Sequence, residues 1–459
     1  MMNADLISLL RLRGRLQAGE LRKALGVSRA TLMRQVRAAG DDVIARGSAR
    51  STTYAARRAL RGSRAALPLY RVDEQGAILE VARLDLTCPD GCAAELLAEF
   101  GWPLDEEMQA GWFDGLPYPL QDMRPQGFLG RNFARHHAAL LQVPEDPTVW
   151  SDDHALHAMS LLGTDLLGDL ILGEPACRQW LARVQAGRPG RDEPLVDETM
   201  VPQSYERLAA SAMAQGLVGS SAGGEFPKFE AVRRSDDGRI QHVLVKFSGS
   251  DSSAGTQRWA DLLVCEHLAG QVLTTHLGIQ AATSRIHHFG GRTFLEVERF
   301  DRHGLYGRSG VTSWASLNGA LFGLAGAPWV EVARRLGARA WLSADDVRCT
   351  ALLWHFGQLI GNNDMHDGNL SFQPRSVEGR PGLRLAPAYD MLPMLYAPSR
   401  GVELPLREFR PRLPLPAERE LWAQAAQAAR AFWTSAAADA RISAGFRAVC
   451  ADNARSMPI

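Results

Sequence analysis

Two carboxylates and an amide near the C-terminal end of this chain have the types and the spacing to work on a phosphate. Asp364 stands five residues before Asn369 in GNNDMHDGNLSF (361–372), and Asp390 follows 21 positions after Asn369 in AYDML (388–392). One carboxylate in such a loop takes or orients the proton of an attacking hydroxyl. The amide and the second carboxylate supply hard oxygen ligands for magnesium, which needs few protein ligands because it keeps waters and phosphate oxygens. The plainer reading of the same residues is a Gly/Asn/Asp-rich surface turn.

A basic partner is marked by composition. Of 51 basic residues only Lys23, Lys228 and Lys246 are lysine. A retained lysine in an arginine-rich chain suggests a place for a compact point charge rather than a planar fork. Lys246 ends the apolar run HVLVKFS, which reads as a buried strand, the setting from which a lysine reaches nucleotide phosphates. An edge-strand gatekeeper is the alternative. Upstream, GSSAGGEFPKF (219–229) has small residues that let backbone N–H groups approach phosphate, with Lys228 adding charge. It is neither a Walker A nor a G-x-G-x-x-G sequence, and a flexible loop with two serines is its plain reading.

In order and spacing, SAGGEFPK (221–228), VKF (245–247), VERFDR (297–302), NNDMHDGN (362–369) and YDML (389–392) resemble the HipA-like serine/threonine kinases. These are the toxins of bacterial toxin–antitoxin systems, and the likeness covers about residue 202 to the C-terminus. The resemblance implies a two-lobed protein-kinase-like HipA fold, α+β in class, that uses ATP and Mg2+. It implies Glu298 and Phe300 as the hinge against adenine, Lys246 on the α/β-phosphates and Asp364 as catalytic aspartate. Asn369 and Asp390 would bind magnesium. Ser221, Ala222, Gly223, Gly224, Lys228, His366 and Tyr389 fall on further nucleotide-site positions. Ser221 matches a loop serine that such kinases autophosphorylate, with Ser220 beside it. A phosphoserine there would repel ATP or pair with arginines such as Arg233 or Arg234. The helix expected over 259–277 offers both Asp261 and Glu266 as partner for Lys246, and an exposed face is the plainer place for either acid.

The opposite end carries a second signal. Residues 1–64 hold 14 Arg/Lys and four Asp/Glu, a net of +10, while the remainder carries 37 basic and 47 acidic residues. A basic head on an acidic body points to nucleic acid. An apolar helix around Leu6–Leu12, a second over 18–25, a turn at Gly26 and an N-cap at Ser28 for a third over 29–39 outline a helix-turn-helix. A hairpin over 43–56 with Gly47 at its turn would be the wing. In this winged helix-turn-helix of residues 1–60, Arg29, Thr31, Arg34, Gln35 and Arg37 would lie on or near the major-groove face. Arg46 and Arg50 would sit on the wing near phosphates. A helical hairpin with a solvated basic face is the bland alternative.

The chain therefore divides into this head, a HipA N-terminal-like α+β domain over 69–182 and a kinase domain over 199–459. Basic and charged linkers are expected at 60–68 and 183–198. DMRPQGFLGR (122–131) also looks like the N-terminal region of the family, and a fused basic head resembles its YjjJ-type subgroup. No apolar run approaches the ~20 residues needed to span a bilayer. The start is unlike a secretory signal, and six cysteines in so long a chain read as reduced thiols, so a cytoplasmic protein is expected. The resemblance implies a protein substrate in translation, such as an aminoacyl-tRNA synthetase, with duplex DNA and an antitoxin protein as further partners. Two rivals stay open: a DNA-binding transcriptional regulator whose kinase-like domain senses nucleotide, and a small-molecule phosphotransferase.

Overall fold

Ser28 ends one turn and begins one helix: its hydroxyl accepts the Thr31 N–H at 3.2 Å and opens the helix Arg29–Ala39. Gly26, at φ +65°, closes the preceding helix Ala18–Leu25 in a left-handed turn that costs glycine little. A computed structural model gives the structure of residues 2–47, 52–188, 195–215, 226–324, 326–377, 379–398, 404 and 407–458. It is a mixed helix-and-sheet structure in which no helix of the described residues is long and apolar enough to cross a membrane.

At the N-terminal end, Met2–Arg13 and the two helices above pack Leu6, Leu10, Leu21 and Leu32 against a small sheet. In that sheet Thr53–Ala56 lies between Leu16–Gln17 and Val43–Arg46. This unit is not hung on a free linker. Cys88 N–H donates to Ala56 O at 2.9 Å and Arg58 N–H to Leu86 O at 2.8 Å. Ile44 and Ala55 bury themselves against Ala93 and Trp112. The expected linker at 60–68 is a tight turn, with Leu60 and Ser63 exchanging backbone bonds, followed at Leu67 by a strand.

The next segment is a five-stranded antiparallel sheet, ordered Trp112–Phe113, Cys92–Leu96, Ile78–Leu86, Leu67–Val72 and Leu170–Leu172. Its helices include Gly127–Leu141, Asp152–Leu162 and Glu174–Gln185. The second expected linker is shorter than its charge and prolines suggest. The last of these helices runs into it as far as Gln185, and Val196–Asp197 pairs in parallel with the strand Lys228–Arg234.

The C-terminal half is built on a second five-stranded sheet, ordered Ser284–Phe289, Arg292–Glu298, Ile240–Phe247, Lys228–Arg234 and Val196–Asp197. Ile240–Phe247 is central, so Lys246 is no edge gatekeeper. Period-two alternation sends Val243, Val245 and Phe247 to a core with Tyr205 of the helix Val201–Gln215. Leu244 and Lys246 therefore face the other side. There the helix Ala254–Leu277 packs, opened by Ser253 accepting the Thr256 N–H at 3.2 Å. Below it Ala344–Leu359, Arg419–Ala438 and Ala444–Ser456 form a helical body around Phe356, Phe432, Trp433 and Phe446. Ser343 opens the first of these by accepting the Asp346 N–H at 3.1 Å, and a run of alanines carries the second on to Ala438.

Candidate active site

Lys246, 4% exposed, is the centre of the site. Its ammonium donates to both Glu266 oxygens, at 2.7 and 2.9 Å, and to Asp390. Burial alone would push the ammonium down, but Asp390 and Glu266 outweigh it and hold Lys246 above its ordinary range. The same ammonium offsets burial at Asp390 and keeps that carboxyl below its usual range, whereas burial dominates at Glu266 and raises it. Asp261, the other candidate partner, instead accepts from Ser443 N–H at 2.7 Å and Ser443 Oγ at 2.6 Å, fixing the start of the last long helix. Neither acid is on an exposed face: Asp261 is 1% and Glu266 8% exposed. Sheet and helical body clasp the helix from opposite sides, so each acid is buried against a different neighbour.

The loop after Ala344–Leu359 is held by its own polar side chains. Trp433 Nε1 donates to Leu359 O at 3.1 Å, and Gly361, at φ +73°, turns the chain out of the helix. Asn362 accepts the Asp364 N–H at 3.1 Å and donates to Asp390 O at 3.2 Å. Asn369 Nδ2 donates to Asp364 O at 2.9 Å, so its Oδ1 is the amide atom left to accept a cation. Asn318 Nδ2 reaches Asp367 at 3.1 Å, and the Tyr389 hydroxyl donates to Gly368 O at 2.8 Å. Asp390 has φ +54°, a strained conformation for a non-glycine residue. Asn318, Asn362 and Ser371, whose hydroxyl lies 2.6 Å from that of Tyr389, escaped the sequence reading, although Asn362 sits inside the motif itself.

Lys246, Glu266, Asp390, Tyr389, Glu298, Phe300, Lys228 and Gly368 line one cavity of about 420 Å³. The Phe300 and Tyr389 rings lie 6.1 Å apart at 34° within it. Asp364, His366 and Asn369 are on the adjoining loop rather than the wall, Asp364 and His366 exposed. His366 Nδ1 accepts the Gly368 N–H at 3.0 Å and so braces the loop's own backbone. Ser220, Ser221, Ala222, Gly223 and Gly224 lie outside the described residues. Part of the wall was unforeseen: residues 122–130 and 165–167 come from the segment before the second sheet.

At the N-terminal end Arg29, Arg34 and Arg37 are exposed and Thr31 is half-buried, its hydroxyl 3.1 Å from Ser28 Oγ. One expectation needs correction. Gln35 is 6% exposed and faces the core with Leu32 and Ala39, so it is not on a groove-facing surface. Its i, i+3, i+7 spacing with those two apolar residues was the signal. Arg46 lies 3.6 Å from Asp85 of the following segment, so part of its charge is already paired within the chain. Arg50 lies outside the described residues.

Comparison with known proteins follows the same division. Residues 63–181 match the YjjJ-like toxin, middle domain, family and residues 220–454 match the HipA-like C-terminal domain family. Toxin YjjJ of Escherichia coli (strain K12) is 38% identical over 448 residues, which is 97% of this chain and 95% of that protein. Among solved structures, HipA of the Shewanella oneidensis MR-1 toxin–antitoxin system, in complex with HipB and its operator DNA, is similar in fold. The TM-score is 0.51 at 14% identity, covering 85% of this chain and 95% of that one.

Proposed function

Because this chain belongs to the HipA-like toxin family, with a YjjJ-like middle domain, we propose that it is an ATP- and magnesium-dependent serine/threonine protein kinase with its own DNA-binding head. The observation that carries the reading is Lys246, buried between Glu266 and Asp390 on the wall of the 420 Å³ cavity. A lysine on a central strand, an acid on the adjoining helix and a second carboxylate beyond the loop are the parts a kinase uses. Glu298 and Phe300 flank the base, and Lys246 bears on the phosphates. Asp364 orients the acceptor hydroxyl for in-line attack and takes its proton, while Lys246 meets charge as it develops. The donor set fits magnesium: Asp390 is held ionised, and Asn369 has its amide oxygen to offer. Magnesium on those two would neutralise charge on the phosphate oxygens.

We read the three helices and three strands of residues 2–56 as a winged helix-turn-helix that meets duplex DNA through Arg29, Arg34 and Arg37. The Shewanella HipA complex, which holds HipB and operator DNA, makes DNA and a separate antitoxin the natural partners to seek. The substrate class is a seryl protein of the translation machinery. Incubating the full chain with labelled ATP and a cell lysate, beside Lys246→Ala, tests the activity. One labelled protein band that the variant lacks supports it; labelled metabolites, or no label, overturn it.

A further inference from the structure

The cavity wall at Glu298 and Phe300 is held at one end only by its own sheet. Glu298 N–H donates to Thr283 O and Arg299 N–H to His242 O, each at 2.8 Å. Beyond Arg299 the chain leaves the sheet, and its anchors come from residues 164–168 of the preceding segment. Asp301 accepts the Gly168 N–H at 2.9 Å. Arg302 donates to Asp165 at 2.8 Å, to Gly168 O at 2.8 Å and to Asp301 at 2.8 Å. Arg308 reaches Thr164 O at 2.6 Å. Arg299 joins Asp301 at 3.0 Å and Glu230, two strands across the sheet, at 2.7 Å, with Asp165 3.8 Å away.

Charge makes this arrangement conditional. Arg302 and Asp301 have 2% side-chain exposure and Arg308 4%, so three guanidinium groups depend on Asp165, Asp301 and Glu230 for compensation. Removing one partner of a buried pair leaves a charge uncompensated, which costs far more than the pair is worth intact. Burial would raise the Asp165 carboxyl, but Arg302, Arg299 and Arg308 outweigh it and hold it well below the usual carboxylate range. Asp165, Leu166 and Leu167 also line the same cavity as Phe300.

We infer that Asp165 is a positioning residue for nucleotide binding: through Arg302 and Arg299 it fixes the Glu298–Asp301 backbone from outside the kinase-like half. The inference rests on the reading of the 420 Å³ cavity as the ATP site. It makes the middle segment part of the nucleotide site rather than a tether between head and kinase.

Calorimetric titration of the full chain with ATP and magnesium tests it, using Asp165→Asn, Asp165→Glu and the surface control Glu174→Gln. Asp165→Asn should weaken ATP about tenfold, the scale of losing one charge-assisted hydrogen bond, and raise KM while kcat at saturating ATP changes little. Asp165→Glu, which keeps the charge, should recover part of the affinity. Unchanged affinity in a folded Asp165→Asn, or a loss confined to kcat, overturns the inference. Should that variant fail to fold, hydrogen exchange in the wild-type chain decides: ATP should slow the Gly168 amide, and no change there overturns it. A wild-type chain that binds no ATP overturns both readings, and is told apart because it shows before any variant is compared.

Discussion

At the scale of the residue, Asp364 is open to test because neighbouring amides hold its backbone. Its N–H is held by Asn362 and its C=O by Asn369. Asp364→Asn should therefore lower phosphotransfer about 10²-fold or more while nucleotide affinity stays near wild type, since the carboxylate acts on the acceptor. Rapid-quench phosphotransfer at the wild-type rate would sink the assignment. Ser221 is the second residue to test. A phosphate on it adds about −1.5 to −2 charge, and if its loop meets ATP as the family resemblance implies, autophosphorylation should act as a brake. Neither arginine named above as its partner is idle: Arg233 is fully buried, donating to both Glu296 oxygens at 2.7 Å. Arg234 already pairs with Asp197 at 2.7 Å, so repulsion of ATP is the simpler route. Peptide mapping after ATP incubation should find phosphate on Ser221, or on Ser220 as fallback. It should vanish in Asp364→Asn, and unmodified serines in the active chain would end the idea.

At the scale of the element, the central strand Ile240–Phe247 carries an acid-sensitive group. Burial, against the opposing pull of Asp165, pushes the His242 imidazole down to about 4. The unfolded chain takes that proton near the ordinary histidine value of about 6.5. Between those values the unfolded state binds more protons than the folded one, so stability falls as pH falls through the window. Below the lower value both states are protonated and this loss stops. Urea midpoints followed by tryptophan fluorescence should drop across that range in the wild type and less steeply in His242→Leu. Equal slopes would place the sensitivity elsewhere.

At the scale of the whole molecule, the basic head is docked on the acidic body and part of its charge is consumed there. Arg15 pairs with Glu107, lies 3.5 Å from Asp114 and sits 5.6 Å over the Trp112 ring. Arg57 pairs with Asp85 and Arg58 with Asp153. Arg22, Lys23, Arg29, Arg34 and Arg37 remain exposed. If these five meet phosphates, log K for duplex DNA should fall with log salt at a slope of about −4.5 in the full chain. Arg34→Ala should reduce that slope by about one contact, whereas Arg46→Ala, already beside Asp85, should leave it unchanged. A flat salt response in fluorescence anisotropy would assign the head to a protein partner.

The sequence by itself determined whatever is local. Glycine and serine at 26 and 28 set the ends of two helices, and the apolar run that carries Lys246 marked a buried strand. The Asp–Asn loop and Asp390 were legible as a constellation because their spacing is fixed by a short, self-bonded turn. What only the tertiary structure decided is orientation. Asp261 and Glu266 are five residues apart on one helix, about 140° around its axis, so they cannot both face the strand. Their types are alike, and nothing local ranks them. Rotation of the helix is set by what it packs on, and packing gives Glu266 to Lys246 and Asp261 to Ser443. The same holds for Asp165 and for Arg46, whose partners lie 137 and 39 residues away in the chain. Charge pairing at such separations is fixed only when the segments that carry the charges meet.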